Sequence, residues 1–288
     1  WAASAGLIGY SARKIAAEAD GSKTVLMGVL GAFVFAAQMI NFAIPGTGSS
    51  GHIGGGLLLA VLLGPSRGFV TLSSVLVIQA LFFADGGLLA LGCNIFNMAF
   101  FPAFVARPFI YGPVAGNGAS PGRLAAGSIL AATAGLVAGA LSVVVETAAS
   151  GVSDLPFGTF TLFMLPIHLA IGIVEGVLTW GVLSFVRKTE PALLPTGNGT
   201  AGSAGRPIAA TLLAAAVVVA GILPELSSAK PDGLEWSILK VTGKTAQQQQ
   251  PSETAPSATG ILGSMMVFIA AGSAGLLLRK SPGKSGRS

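Results

Sequence analysis

Two histidines, His52 and His168, and one cysteine, Cys93, are all the imidazole and thiol that 288 residues contain. No intrachain disulfide can form, and neither a paired-thiol zinc motif nor a histidine-rich relay can be assembled. Charge is almost as scarce: Asp, Glu, Lys and Arg together make up 9% of the chain, against roughly 25% in ordinary soluble domains. Hydrophobic residues fill the gap at 52%, in runs long enough to cross a bilayer, so the composition describes an all-α, multi-span membrane protein. Forty-one glycines suit the same class, because small residues let helices pack closely where lipid removes the hydrophobic drive for association. Cys93, inside an apolar run, reads as a small buried hydrophobe. The net charge of +5 does not indicate nucleic acid, because the lysines and arginines are distributed along the chain between apolar runs.

Taking ~20 apolar residues as one span, the sequence predicts nine helices, at about 1–17, 24–44, 52–65, 68–84, 88–108, 123–147, 157–186, 208–226 and 260–278. They divide into a seven-helix body over 1–188, a Gly/Ser/Thr-rich linker over 189–206 with the composition of a flexible tether, and a two-helix accessory unit over 207–288. With the N-terminus outside and the C-terminus inside, thirteen of the sixteen basic residues face the cytoplasm; Lys230, Lys240 and Lys244 stay outside. The positive-inside bias selects this orientation. The same placement puts Asp85, Glu146, Asp154, Glu225, Asp232, Glu235 and Glu253 outside, a face that draws cations. Gln247 to Gln250 form a low-complexity tract expected to be disordered.

The chain is organised around 46–98. Gly46-Thr47-Gly48-Ser49-Ser50-Gly51-His52-Ile53-Gly54-Gly55-Gly56 sets one histidine among six glycines, which other parts of the chain can approach closely. If Gly64-Pro65 marks the cytoplasmic end, helix from His52 onward is too short to span, and His52 lies recessed by ~10 Å below the outer edge. Asp85, Asn94 and Asn97 follow between apolar runs, where polar groups are costly and need a reason. In the seventh segment His168 and Glu175, seven apart, share one helix face behind a kink expected at Pro166. Such an intramembrane ionisable pair is either functional or satisfied by neighbouring helices. Gly48-Ser49-Ser50-Gly51 also matches the G-x-S-G of intramembrane serine hydrolases, with Ser50 as nucleophile and His168 as base. Gly283-Lys284-Ser285 is half of a P-loop, but Leu278 stands where its first glycine belongs. A passive channel or assembly scaffold is the third reading.

GHIGGGLLLAVLLGP from Gly51, IQALFFADGG from Ile78 and ALGCNIFNMAF from Ala90 resemble, in that order, the substrate-binding membrane subunit of energy-coupling factor transporters for nickel or cobalt, the CbiM/NikM family. PDGLEWS from Pro231 resembles the short accessory subunit of nickel-type members, fused here to the main subunit; without the resemblance it reads as a turn followed by an amphipathic anchor. The resemblance implies a non-enzymatic substrate-capture subunit in the prokaryotic cell membrane. It would work with a transmembrane coupling subunit and two ATP-binding cassette ATPases, carry Ni²⁺ or Co²⁺ as cargo and hold no resident cofactor. It also implies a four-nitrogen site made by an N-terminal Met-His and one further histidine, which by its place in the GHIGGG block is His52. Such tetragonal nitrogen coordination suits Ni(II). The chain begins at Trp1 without that opening, so most of the metal ligands are expected to be missing from it. Ligands that must lose protons make capture weaker in acid.

Overall fold

The computed structural model describes residues 1–18, 22–116, 119–151, 153–194, 205–222, 227–243 and 256–278. Its elements in order are α1 (Ala2–Ala17), α2 (Ser22–Gln38), β1 (Phe42–Ala43), β2 (Ser50–Gly51), α3 (Gly56–Leu63), α4 (Pro65–Phe82), α5 (Leu91–Ala115), α6 (Pro121–Ser150), α7 (Phe157–Thr189), a 3₁₀ turn (Pro191–Leu193), α8 (Gly205–Ile222), α9 (Gly233–Thr242) and α10 (Pro256–Leu278). Five of them, α4, α5, α6, α7 and α10, are long and apolar enough to cross a membrane. Many large apolar side chains point outward, among them Leu162, Val217, Val218 and Leu277. On a soluble protein such a surface would be a liability; facing lipid it is the expected exterior.

Small residues set the helix spacing. A Cβ at Gly28 would lie 2.7 Å from the Phe268 carbonyl oxygen, and one at Gly172 2.7 Å from Thr133 Cα, so α2 meets α10 and α7 meets α6 at backbone contact. The extended core joins Leu30, Phe35, Leu59 and Phe69 with Ala271 of α10. The accessory helices are therefore packed into the body. The proposed tether falls mostly in 195–204, outside the described residues, as do the glutamine tract and the C-terminal tail.

Three departures from the sequence-based expectations bear on the site. The helix expected over 24–44 stops at Gln38, because the backbone beyond it bonds elsewhere: Ser227 Oγ donates to the Met39 carbonyl at 3.0 Å, the Asn41 amide donates to Ser227 Oγ at 3.0 Å, and the Ser228 amide donates to the Asn41 carbonyl at 2.7 Å. The helix expected from His52 begins only at Gly56; residues before it pair as an antiparallel two-residue ladder, Phe42 with Gly51 and Ala43 with Ser50. Gly46 (φ 77°) and Gly48 (φ 79°) make the turn between those strands. The amphipathic stretch after the Pro-Asp-Gly turn is a ten-residue helix, α9, capped by Asp232, whose Oδ1 accepts from the Glu235 amide at 2.8 Å. Pro166 does not interrupt α7. In α5 the wide turns of residues 96–111 accommodate Pro102 and Pro108, neither of which can donate to the helix ladder.

Candidate metal-binding cavity

The ends of α3 to α7 remote from the arginines surround a cavity of about 210 Å³. Its wall includes His52, Asp85, Asn94, Asn97, His168 and Glu175, six residues spread over more than a hundred positions, together with Asp232 and Gly233 of the accessory segment.

His52 follows β2 and precedes α3, in a stretch whose flanking positions Gly51 and Gly55 admit no side chain. Gly55 has φ 72°, and a Cβ there would lie 2.5 Å from Val34 Cγ1; a Cβ at Gly51 would lie 2.5 Å from Ile171 Cγ1. The stretch is gripped at Gly54 and Gly55. Glu175, 2% exposed, accepts from the Gly54 amide at 2.9 Å and from the Gly55 amide at 3.1 Å. These amides open α3, where unpaired donors and the helix dipole favour a carboxylate. Gln38 Nε2 donates to the Gly54 carbonyl at 2.8 Å, and Gln79 Nε2 donates to Gln38 Oε1 at 2.9 Å. Thus both sides of the Gly54 residue are bonded to buried side chains, two positions from His52. Gln38 and Gln79 were not singled out from sequence as site residues, although amides inside apolar helices carry the same signal that marked Asn94 and Asn97.

The two imidazoles present the same nitrogen. His52 Nδ1 is 3.2 Å from the Ile53 carbonyl and His168 Nδ1 is 2.8 Å from the Met164 carbonyl. A carbonyl only accepts, so each Nδ1 carries the proton and each Nε2 holds a lone pair for a ligand. His168 and Glu175 both reach the cavity, as their spacing implied, but they bond to different partners and not to each other. Asn94 Nδ2 donates to the Gly86 carbonyl at 3.0 Å, and Asn97 Nδ2 donates to Glu146 Oε2 at 2.8 Å, leaving the buried Asn97 Oδ1 without a partner. Among the described residues, no three of His, Cys, Asp and Glu converge as a ready metal cluster.

The accessory segment closes one side of the cavity. Ser50 donates its amide to the Pro231 carbonyl at 2.8 Å and its hydroxyl to the Lys230 carbonyl at 2.6 Å. Trp236 Nε1 donates to the Thr47 carbonyl at 3.0 Å, and its ring meets Phe163 edge-on at 5.6 Å between centroids. Burial, and next the neighbouring Asp232 carboxylate, hold the Glu235 carboxyl above its ordinary range.

In a helical multi-pass membrane protein, a glycine-framed histidine on the wall of a cavity that also includes Asp85, Glu175 and Asp232 offers donor groups of the kind a small cation takes. Residues 1–193 match the family model described as "Cobalt uptake substrate-specific transmembrane region", and residues 206–259 match the PDGLE domain. The chain belongs to that cobalt uptake family, CbiM, with a PDGLE domain after it. It is 35% identical to a putative metal transport protein of Haloquadratum walsbyi over 68% of this chain and 87% of that one. It is 36% identical to the putative fused nickel transport protein NikMN of Archaeoglobus fulgidus, over 65% of this chain and 60% of the relative, and 34% identical to the probable fused nickel transport protein LarMN of Lactiplantibacillus plantarum, over 77% and 68%. A crystal structure of a transition metal transporter superposes with a TM-score of 0.56 at 31% identity, covering 65% of this chain and 86% of that one.

Proposed function

We propose that this protein is the substrate-capture subunit of an ATP-driven importer for divalent nickel or cobalt, and that His52 Nε2 is one of the ligands. The observation that carries the reading is the position of His52: its tautomer is set by the Ile53 carbonyl, its backbone is held through Gly54 by Glu175 and Gln38, and the residue lines the cavity. A pre-oriented nitrogen of this kind is what a tetragonal Ni(II) site needs. The remaining nitrogens are those that the family's Met-His opening would supply. Trp1 packs its backbone on Gly92, next to the cavity wall at Asn94, which is a short route for such a segment.

The metal is cargo, and ATP hydrolysis falls to partner chains, a coupling subunit and two ATPases, since the half P-loop at Gly283 lacks its first glycine. Arg67, Arg107, Arg123 and Arg187 lie at helix ends away from the cavity, where three of them donate to backbone carbonyls and Arg67 pairs with Glu18. This separation supports an outward-facing cavity with the basic end in the cytoplasm. The division into a body over 1–188 and an accessory unit over 207–288 is retained as one of function, with the accessory unit assisting metal loading. The hydrolase reading is disfavoured because the single Ser50 hydroxyl proton is donated to a backbone carbonyl, leaving none for His168 to take.

Nickel content tests the assignment. In the full-length protein purified in lipid, His52→Asn should fold and assemble yet lose nickel affinity by more than the about 10–100-fold that outer-shell changes cost. Stoichiometric, tightly held nickel in that variant would place the ligands elsewhere.

A further inference from the structure

His168 is absorbed by none of the roles above. It stands on α7, half-buried, with Nδ1–H committed to the Met164 carbonyl of its own preceding turn and Nε2 left as a free donor of its lone pair. It lines the same cavity as His52, but from beneath the accessory segment. A Cβ at Gly233 would lie 3.0 Å from His168 Cε1 and 3.3 Å from Nε2, so the backbone of the cap rests on the imidazole edge that carries the lone pair. Asp232, whose Oδ1 also caps α9, lies next to it on the cavity wall. A histidine kept only to donate to Met164 would need no glycine against its Nε2 edge. A resident metal site would need more donors, and among the described residues no third His, Cys, Asp or Glu joins a pair here.

One imidazole and a nearby carboxylate, under a segment held by neutral hydrogen bonds, make a site that binds a divalent cation weakly and releases it quickly. We propose that His168 is a second, transient station for the cation, which takes it beneath the Asp232-Gly233 cap and passes it across the cavity to His52. The proposal rests on the capture reading, and it assigns to the accessory segment a defined place in loading: it covers the first nitrogen that the ion meets.

A relay has a kinetic signature that a ligand or a packing residue lacks. Removing a station on the only fast path slows entry and exit together and leaves the equilibrium alone, whereas loss of a resident ligand acts mainly on the dissociation rate. The test is the loading of full-length protein in lipid with NiCl₂, following association and dissociation separately. In His168→Gln the side-chain amide still donates to Met164, and both rates should fall by about tenfold or more with the dissociation constant unchanged. Gly233→Ala, which leaves α7 untouched and crowds the imidazole, should slow both rates in the same way. Parental rates in His168→Gln would remove the station. A weakened dissociation constant with an unchanged association rate would make His168 a resident ligand, which also overturns the relay. Failure of the capture reading itself is recognised independently, by His52→Asn keeping its nickel.

Discussion

On the inner wall of the cavity, Gly54 and Gly55 are held by Glu175 of α7, and Gly54 also by Gln38 of α2, which Gln79 of α4 backs in turn, all three buried. At the outer cap, Thr47 and Ser50 meet Trp236, Lys230 and Pro231 mainly through neutral bonds to backbone carbonyls, near residues that are partly exposed. The inner contacts include an anion taking two amide protons at a helix N-terminus, which is stronger than a neutral pair and leaves buried donors stranded if removed. The cap contacts are worth about 1 kcal/mol each in net terms. The difference separates a part that must keep its shape from a part able to lift while the rest stays folded.

The comparison breaks most readily at Glu175. In Glu175→Gln one of the two amides loses its acceptor, at a cost of about 1–3 kcal/mol, and because His52 is two residues away the nickel affinity should fall by about 10–100-fold. Thermal unfolding and nickel titration of the same preparation would show both losses; full affinity in this variant would mean that the cap, not the inner grip, sets the histidine. At the cap, Ser50→Ala and Trp236→Phe each delete a neutral bond of about 1 kcal/mol. Protease sensitivity of the accessory segment should rise while the dissociation constant for nickel holds, and an affinity loss as large as that of Glu175→Gln would erase the distinction between the two regions. The smallest effect concerns pH. The Glu235 carboxyl is raised above its ordinary value in the docked state, chiefly by burial, so the docked form binds the proton more tightly than the released form, and docking is favoured at low pH and weakened as pH rises through that raised value. Glu235→Gln should flatten the pH dependence of cap protection in hydrogen exchange; an unaltered slope would move its origin elsewhere.

Much of the site could be read from the chain. His52 among glycines, the carboxylate and amides at Asp85, Asn94 and Asn97, and the shared face of His168 and Glu175 were all visible, because apolar surroundings make each polar residue conspicuous, and all of them line one cavity. Reading the local pattern as helix went wrong at two places, residues 39–44 and 52–55. There the glycines and a short apolar run do not reveal that Ser227 and Ser228 take the backbone bonds that would have continued one helix, or that Glu175 takes the donors that open the next.

The sequence by itself determined the membrane class, the positions of the main helices and the identity of the scarce groups able to meet a cation, since hydrophobicity and residue chemistry are properties of each segment alone. Only the tertiary structure decided what those groups do. That a carboxylate 121 residues away holds Gly54, that a segment about 180 residues away closes over Ser50, and that both imidazoles line one cavity depends on which surfaces meet. Hydrogen bonds between distant residues leave no periodicity in either partner, because their geometry exists only once the helices have packed.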